Sequence, residues 1–158
     1  MKQISLPDSL AVLEDYSLYV TGLTSLNIPD SIRYIGHQAL SYCKSLTNVT
    51  IGSGIKEIGN WAFSEDTALL TVVVKATTPP KAGSEIFSMC SEGLSIYVPL
   101  ASIDAYKTAA KWSVYASQIY PYIETEAELS SIDTTAYTKA NVGGMVYNYV
   151  DGAWTVEA

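Results

Sequence analysis

This chain carries little charge, a single histidine, two cysteines and no long apolar run, and each shortage closes off a class of function. Charged residues are 16% of the 158 positions, with 16 acids against 9 bases and a net charge of −7. Without a basic stripe the surface repels phosphate, so nucleic acid is not expected as a partner. No segment approaches the roughly 18 continuous apolar residues of a membrane span. A Ser–His–Asp or Cys–His triad would depend on His37 alone. One histidine and two cysteines also fall short of an ordinary zinc site. Gly-rich phosphate loops and a D-x-D-x-D calcium run are missing. We therefore expect no catalytic residue, no metal and no cofactor.

What is present is a spacing. Leu23, Leu46 and Leu69 are each 23 residues apart, and their surroundings repeat with them. Residues 23–45 read LTSLNIPDSIRYIGHQALSYCKS and residues 46–68 read LTNVTIGSGIKEIGNWAFSEDTA. Apolar residues coincide at Leu26/Val49, Ile28/Ile51, Ile32/Ile55, Ile35/Ile58, Ala39/Ala62 and Leu40/Phe63. A period in the twenties with L-x-x-L-x-L marks a leucine-rich solenoid. The fold class expected is α/β, with short parallel strands alternating with short helical turns. LTSLNIP is the strand, ended by Pro29, which has no N–H for a ladder. HQALSYC and NWAFSED are expected as helical turns. Gly36 and Gly59 are expected to take a backbone angle that other residues resist. Each copy buries its apolar side chains only when another stacks on it, so one copy alone should not fold.

Residues 1–22 form a degraded first copy, and a third begins at Leu69 and is interrupted by Pro79–Pro80. Cys43 and Cys90 fall at the same late position of copies two apart. Two strand steps are about 10 Å, beyond the roughly 7 Å a disulfide spans, so both are read as buried thiols. Asp66 stands at that position between them and must lie at an edge or be capped. A fourth strand ends at Pro99. Residues 101–112, ASIDAYKTAAKW, have helix character, with Ser102 as N-cap and Ile103, Tyr106, Ala110 and Trp112 as an apolar stripe. This helix reads as a lid on the open end. Residues 117–124 read as a closing extended segment and 125–136 as a linker or short helix. Asp151–Gly152 between alternating apolar runs predicts a hairpin near 144–150 and 153–157. It should pack on the solenoid, on a partner chain or on a third strand near 136–139. The domain division expected is 1–124 for the solenoid, its cap at 99–124, and 125–158 for the linker and hairpin.

The full pattern L-x-x-L-x-I-P-x-x-I-x-x-I-G-x-x-A-[LF]-x-x-C is more specific than a generic leucine-rich repeat. It resembles the BspA-type leucine-rich repeats of bacterial surface and secreted proteins, over about residues 1–124. The TTPP turn and the AYKTAAKW lid look like the end of that family's repeats. The resemblance implies a right-handed solenoid and adhesion to a protein or glycan at the cell surface. It implies an extracellular or cell-surface location and no catalytic residues. The first residues, MKQISLPDSL, run straight into a repeat without a signal peptide. The chain is then either cytoplasmic or the mature part of an exported protein.

The outward positions of the strands are the candidate ligand-binding residues: Ser25, Asn27, Asn48, Thr50, Thr71, Val73, Ser95 and Tyr97, with Gln3 and Ser5 before them. Val73 and Tyr97, apolar and adjacent, are the expected contact spot. The residues alone leave open whether this ladder meets a partner or only water. Trp61 reads as partly packed or as an exposed anchor. An alternative role is structural, with the C-terminal hairpin driving self-association or attachment to a larger particle.

Overall fold

The inward alternation of each copy becomes a stack of parallel strands. A computed structural model describes residues 2–157. Its strands are β1 (Val12–Leu13), β2 (Ser25–Ile28), β3 (Tyr34–Ile35), β4 (Asn48–Ile51), β5 (Glu57–Ile58), β6 (Thr71–Val74), β7 (Lys81–Ala82) and β8 (Ser95–Pro99). β9 (Ile119–Ile123), β10 (Lys139–Val142), β11 (Met145–Val150) and β12 (Ala153–Val156) follow. Leu26 pairs with Val49, Val49 with Val72 and Val72 with Ile96, and all four are buried. A second parallel ladder, β1-β3-β5-β7, forms a second side of each turn and aligns Leu13, Ile35, Ile58 and Ala82. Between them lies one continuous core that includes Ile32, Ile55, Leu40 and Phe63.

The third side of each turn departs from expectation. HQALSYC and NWAFSED are not helical turns, and before residue 100 no helix occurs among the described residues. Each segment instead carries two left-handed residues four positions apart: Tyr16 and Val20, Gln38 and Tyr42, Trp61 and Glu65, Glu85 and Met89, with φ between 48° and 65°. Alternate N–H groups then donate to the following turn, as in Gln38 N to Asn60 O (3.0 Å), Leu40 N to Ala62 O (2.9 Å) and Tyr42 N to Ser64 O (2.9 Å). A helical turn this short would leave most of its N–H and C=O groups without partners. Sideways bonding satisfies them, and this outweighs the strain of the left-handed residues. The fold is therefore mostly sheet, with few helices, rather than an even α/β alternation.

Gly36 and Gly59 do not have positive φ. Their smallness is needed for a different reason. A Cβ on Gly59 would lie 2.7 Å from the Gly36 carbonyl carbon and 2.7 Å from His37 N. One on Gly36 would lie 2.5 Å from Asp15 N, and one on Gly83 would lie 2.5 Å from Asn60 N. Successive turns touch backbone to backbone at this corner. Side chains seal it: Asp15 Oδ1 accepts from His37 N and Asn60 Oδ1 from Ser84 N, each at 2.7 Å, and Asp30 Oδ1 accepts from Ser53 N in the same way at the separate Gly52 corner.

Asp66 is fully buried rather than at an edge. Its Oδ1 accepts from Cys43 N at 2.7 Å, and its Oδ2 has no partner. Burial raises its pKa to about 8. Cys43 and Cys90 are free thiols; Cys43 is buried as expected, but Cys90 is only half-buried. Cys43 Sγ donates to Leu18 O (3.2 Å) and Cys90 Sγ to Phe63 O (3.0 Å). Burial raises both thiols, Cys90 to about 12. Only a thiolate reacts readily, so at pH 7.5 neither should label with a disulfide reagent while the fold is intact. Both should label at once in denaturant. Fast labelling of the native protein would contradict this packing.

After β8 comes the helix α1 (Ile103–Thr108), shorter than the 101–112 stretch suggests. Ser102 does not cap it through its side chain; the hydroxyl donates to Thr77 O at 2.8 Å. Tyr106 Oη donates to Ala76 O (2.7 Å) and Trp112 Nε1 to Pro80 O (2.8 Å), with both rings fully buried. Ala110 is exposed, outside that apolar stripe. The Pro79–Pro80 interruption thus supplies the carbonyl that anchors Trp112.

The sheet does not stop with the repeats. β9 runs parallel to β8, β10 parallel to β9, and β11 and β12 follow antiparallel, giving the order β12-β11-β10-β9-β8-β6-β4-β2. Asp151 (φ 51°) and Gly152 (φ 86°) make the tight turn between β11 and β12. The hairpin packs on a third strand, β10, placed at 139–142. Ile123, Ile132, Ala140, Val142 and Tyr147 form a second, smaller core. A 3₁₀ turn at Glu126–Ser131 lies beside it, opened by the Thr125–Glu128 capping box.

Candidate binding groove

Strand alternation sends two columns of side chains out from the face opposite the main core. One column is Ser25, Asn48, Thr71 and Ser95; the other is Asn27, Thr50, Val73 and Tyr97. Asn27 and Asn48 are exposed, and Ser25, Thr50 and Thr71 are half-buried. Gln3 Nε2 donates to Ser25 Oγ at 2.9 Å, so residues 2–5 run beside β2 without forming a strand. Ser5 is exposed.

Val73, Tyr97 and Ser95 are not open to a ligand. Val73 is 3% exposed, Tyr97 1% and Ser95 5%. Val73 and Tyr97 pack with Tyr122, Tyr120 and Val146, and the Tyr97 and Tyr120 rings lie 5.9 Å apart. Burial pushes the Tyr97 hydroxyl above its ordinary pKa. Lys139 Nζ reaches Ser95 Oγ at 3.4 Å and sits 5.4 Å from the Tyr120 ring. The physical reason is the extended sheet. Apolar side chains on its outward face bury themselves by curling the C-terminal strands over it. The apolar character that marked Val73 and Tyr97 as a contact spot is satisfied within the chain.

The curl creates a groove. Asn27 on β2 and Gly143–Gly144, at the turn between β10 and β11, line one cavity of about 230 Å³. In a flat sheet the five strand steps between β2 and β10 would separate them by about 24 Å. Thr50, Val73, Lys75, Tyr122 and Glu124 complete its walls. A neighbouring cavity of about 430 Å³ shares Asn27, Thr50 and Lys75 and extends to Asp8, Asp30 and Ser31. Together they make one polar trough along the coil.

Lys75 is the cation common to both cavities. Its Nζ lies 5.5 Å from the Tyr122 ring centre. Partial burial lowers its pKa, but the Tyr122 side chain and the Glu124 and Asp30 carboxylates outweigh this and leave it raised. Asp30 is held below its ordinary pKa, first by the Ser53 backbone N–H. The trough therefore presents an amide, a hydroxyl, an ammonium and carboxyl groups, that of Asp30 favoured in its charged form. Such a surface can bind donors and acceptors along an extended polar ligand.

Lys75 was readable from the sequence: it lies two residues after the outward Val73, so it faces the same way. Tyr122, Glu124 and Gly143–Gly144 were not, because only the curl brings them over β2 and β4. Trp61 is 37% exposed, and its Nε1 donates to Glu85 Oε2 at 2.8 Å. His37 contacts the rings of Tyr16 and Trp61. Among the described residues no group of three His, Cys, Asp or Glu side chains could hold a metal ion, and no helix is long and apolar enough to cross a membrane.

Comparison with known proteins agrees with the stack. A solved structure that matches is a leucine-rich repeat protein from Bacteroides ovatus, at 21% identity and a TM-score of 0.52. The match covers 70% of this chain and 28% of that one. That likeness speaks to the fold alone. No curated protein matches. The BspA type leucine rich repeat region matches residues 1–94 in six copies, more than half the chain. By that match, and by the repeated turns that carry it, the chain belongs to the BspA-type leucine-rich-repeat family.

Proposed function

We propose that this chain is a non-catalytic binding and adhesion module of a bacterial surface or secreted protein, holding a protein or glycan ligand in the polar trough. The stack is read as a right-handed solenoid over 1–124 closed by a helical lid, with 125–158 as an appended linker and hairpin. The observation that carries the proposal is the groove itself. Asn27 is exposed and Thr50 and Lys75 are half-exposed on the sheet, while the apolar outward positions beside them are covered. Of the original candidates, Asn27 and Thr50 remain at its centre, and Ser25, Asn48 and Thr71 lie along its flank. The family membership supports an interaction role. Screening the full chain on protein and glycan arrays tests it. Asn27→Ala combined with Lys75→Ala should weaken a true ligand at least tenfold, about 1.4 kcal/mol, with folding unchanged. Binding indifferent to this pair would remove the trough as the site.

A second reading is assembly through the hairpin. It is favoured by β12, which ends the sheet order, and by exposed Val156 on that strand and Val150 on the neighbouring β11. An open strand edge is a template for another chain. If it operates, light scattering on the full chain gives a mass above one chain, and Val156→Lys returns it to a monomer. A monomer before the substitution ends this reading.

A further inference from the structure

The third side of the coil carries a surface that the trough does not explain. Five rings there form a chain of edge contacts: Trp61 to His37 (5.4 Å), His37 to Tyr16 (5.3 Å), Tyr16 to Tyr19 (5.7 Å) and Tyr19 to Tyr42 (5.6 Å). Three are substantially exposed: Tyr16 at 51%, Tyr19 at 41% and Trp61 at 37%. Tyr16, Tyr42 and Trp61 are also left-handed residues, with φ of 58°, 62° and 53°. Bulky side chains are disfavoured there, where Gly or Asn is the easy choice. Inter-turn bonding asks for two left-handed residues in every turn, but it does not ask for aromatic rings there, and the exposure of Tyr16 and Trp61 has no account in the core.

Trp61 and Tyr42 flank a groove of about 340 Å³. That lies within the range of about 300–1,000 Å³ usual for small-ligand clefts. Its remaining walls include Gln38, Glu65 and Ser88, and no cationic side chain lines it. The Trp61 ring is fixed in advance, by the Glu85 carboxylate at its Nε1 and by the His37 edge. Pre-fixing a ring lowers the ordering cost of binding.

We propose that the groove between Trp61 and Tyr42 is a glycan-binding site that takes a neutral pyranose ring against Trp61. The C–H face of a sugar covers an aromatic ring, and its hydroxyls need both donors and acceptors. Gln38 and Ser88 offer both, and Glu65 accepts. Charge narrows the choice further. An anionic ligand would meet the Glu65 carboxylate on the wall and Glu85 at Trp61, while Lys44, 6.0 Å from the Tyr42 ring centre, does not line the groove. A quaternary ammonium would want a cage of several ring faces, whereas only two rings line this groove. A greasy peptide side chain would leave the carboxylate and amide unpaired.

This site lies on a different side of each turn from the trough, so the two are separable. The full chain is titrated with cellohexaose, xylohexaose, mannohexaose and maltohexaose, and with choline as the cationic arm, following heat and tryptophan fluorescence. We expect at least one neutral oligosaccharide to bind at about 1 mM or tighter. Trp61→Asn, which keeps a residue tolerant of the left-handed backbone, should weaken it at least tenfold. Tyr42→Asn should weaken it about threefold or more. Asn27→Ala with Lys75→Ala should leave it unchanged. The melting temperature confirms that each variant folds. Binding of none of the four sugars, binding of choline alone, or sugar binding untouched by Trp61→Asn would each overturn the proposal. Sugar binding lost only with Asn27 and Lys75 would overturn it too, in favour of the trough.

Discussion

Replacing Gly59 with valine should leave no cooperatively folded protein at 25 °C, and even Gly59→Ala should cost about 3 kcal/mol. At Gly59 the added Cβ would meet Gly36 C and His37 N at 2.7 Å, both backbone atoms of the preceding turn. No side chain can rotate away to make room. The turns must part instead, and parting them stretches the neighbouring inter-turn bonds, Gly59 N to Ile35 O at 2.7 Å among them. It also opens the core beside fully buried Ile35 and Ile58. Overpacking a rigid core usually costs about 1–3 kcal/mol, more where backbone must move. Total stability of a domain is only about 5–15 kcal/mol, so valine should exceed what this coil can lose. Urea unfolding followed by circular dichroism checks both variants. A Gly59→Ala protein as stable as wild type would mean that the turns are not in backbone contact.

The second large effect concerns Asp66. Asp66→Asn should stabilise the protein by about 3–4 kcal/mol at pH 7, and the gain should grow with pH. The folded pKa, raised to about 8 by burial, stands above the unfolded value of 3.8. The contribution of Asp66 is therefore fully present below pH 3.8 and is lost as pH rises toward 8. Between these values the unfolded chain releases a proton that the folded chain keeps. Stability then falls by about 1.4 kcal/mol per pH unit and levels off above pH 8. Asparagine keeps the acceptor for Cys43 N but cannot ionise. Asp66→Ala should gain less, because it leaves that N–H buried and unpaired, at about 1–3 kcal/mol. Denaturant titrations at pH 5, 6, 7, 8 and 9 give the test as a difference between wild type and Asn. A difference that does not grow with pH would mean that Asp66 is ionised in the fold.

The inward ladder of Leu26, Val49 and Val72 was legible because strand alternation and a fixed period both point to it. The Asp151–Gly152 hairpin was legible from turn chemistry set between alternating apolar runs. What misled was local helix character. HQALSYC contains good helix formers, yet bonding to the next turn decides its backbone. The recurring glycine was a true signal attached to the wrong cause, close approach and not dihedral freedom. The proposed site was half visible. Asn27 and Thr50 follow from alternation, and Lys75 could have followed from it. The burial of Val73 and Tyr97 could not, since it depends on Tyr122 and Val146 arriving from strands far along the chain. Trp61 stood out as a residue, but its alignment with Tyr16 and His37 required the left-handed segments.

Hydrogen–deuterium exchange of the full chain, with and without the tightest array ligand, addresses the binding role most directly. Peptides spanning residues 26–31, 49–52, 74–76 and 121–124 should gain protection together, because the trough joins them. Protection confined to 150–157, or no protected peptide in the trough, would contradict the account.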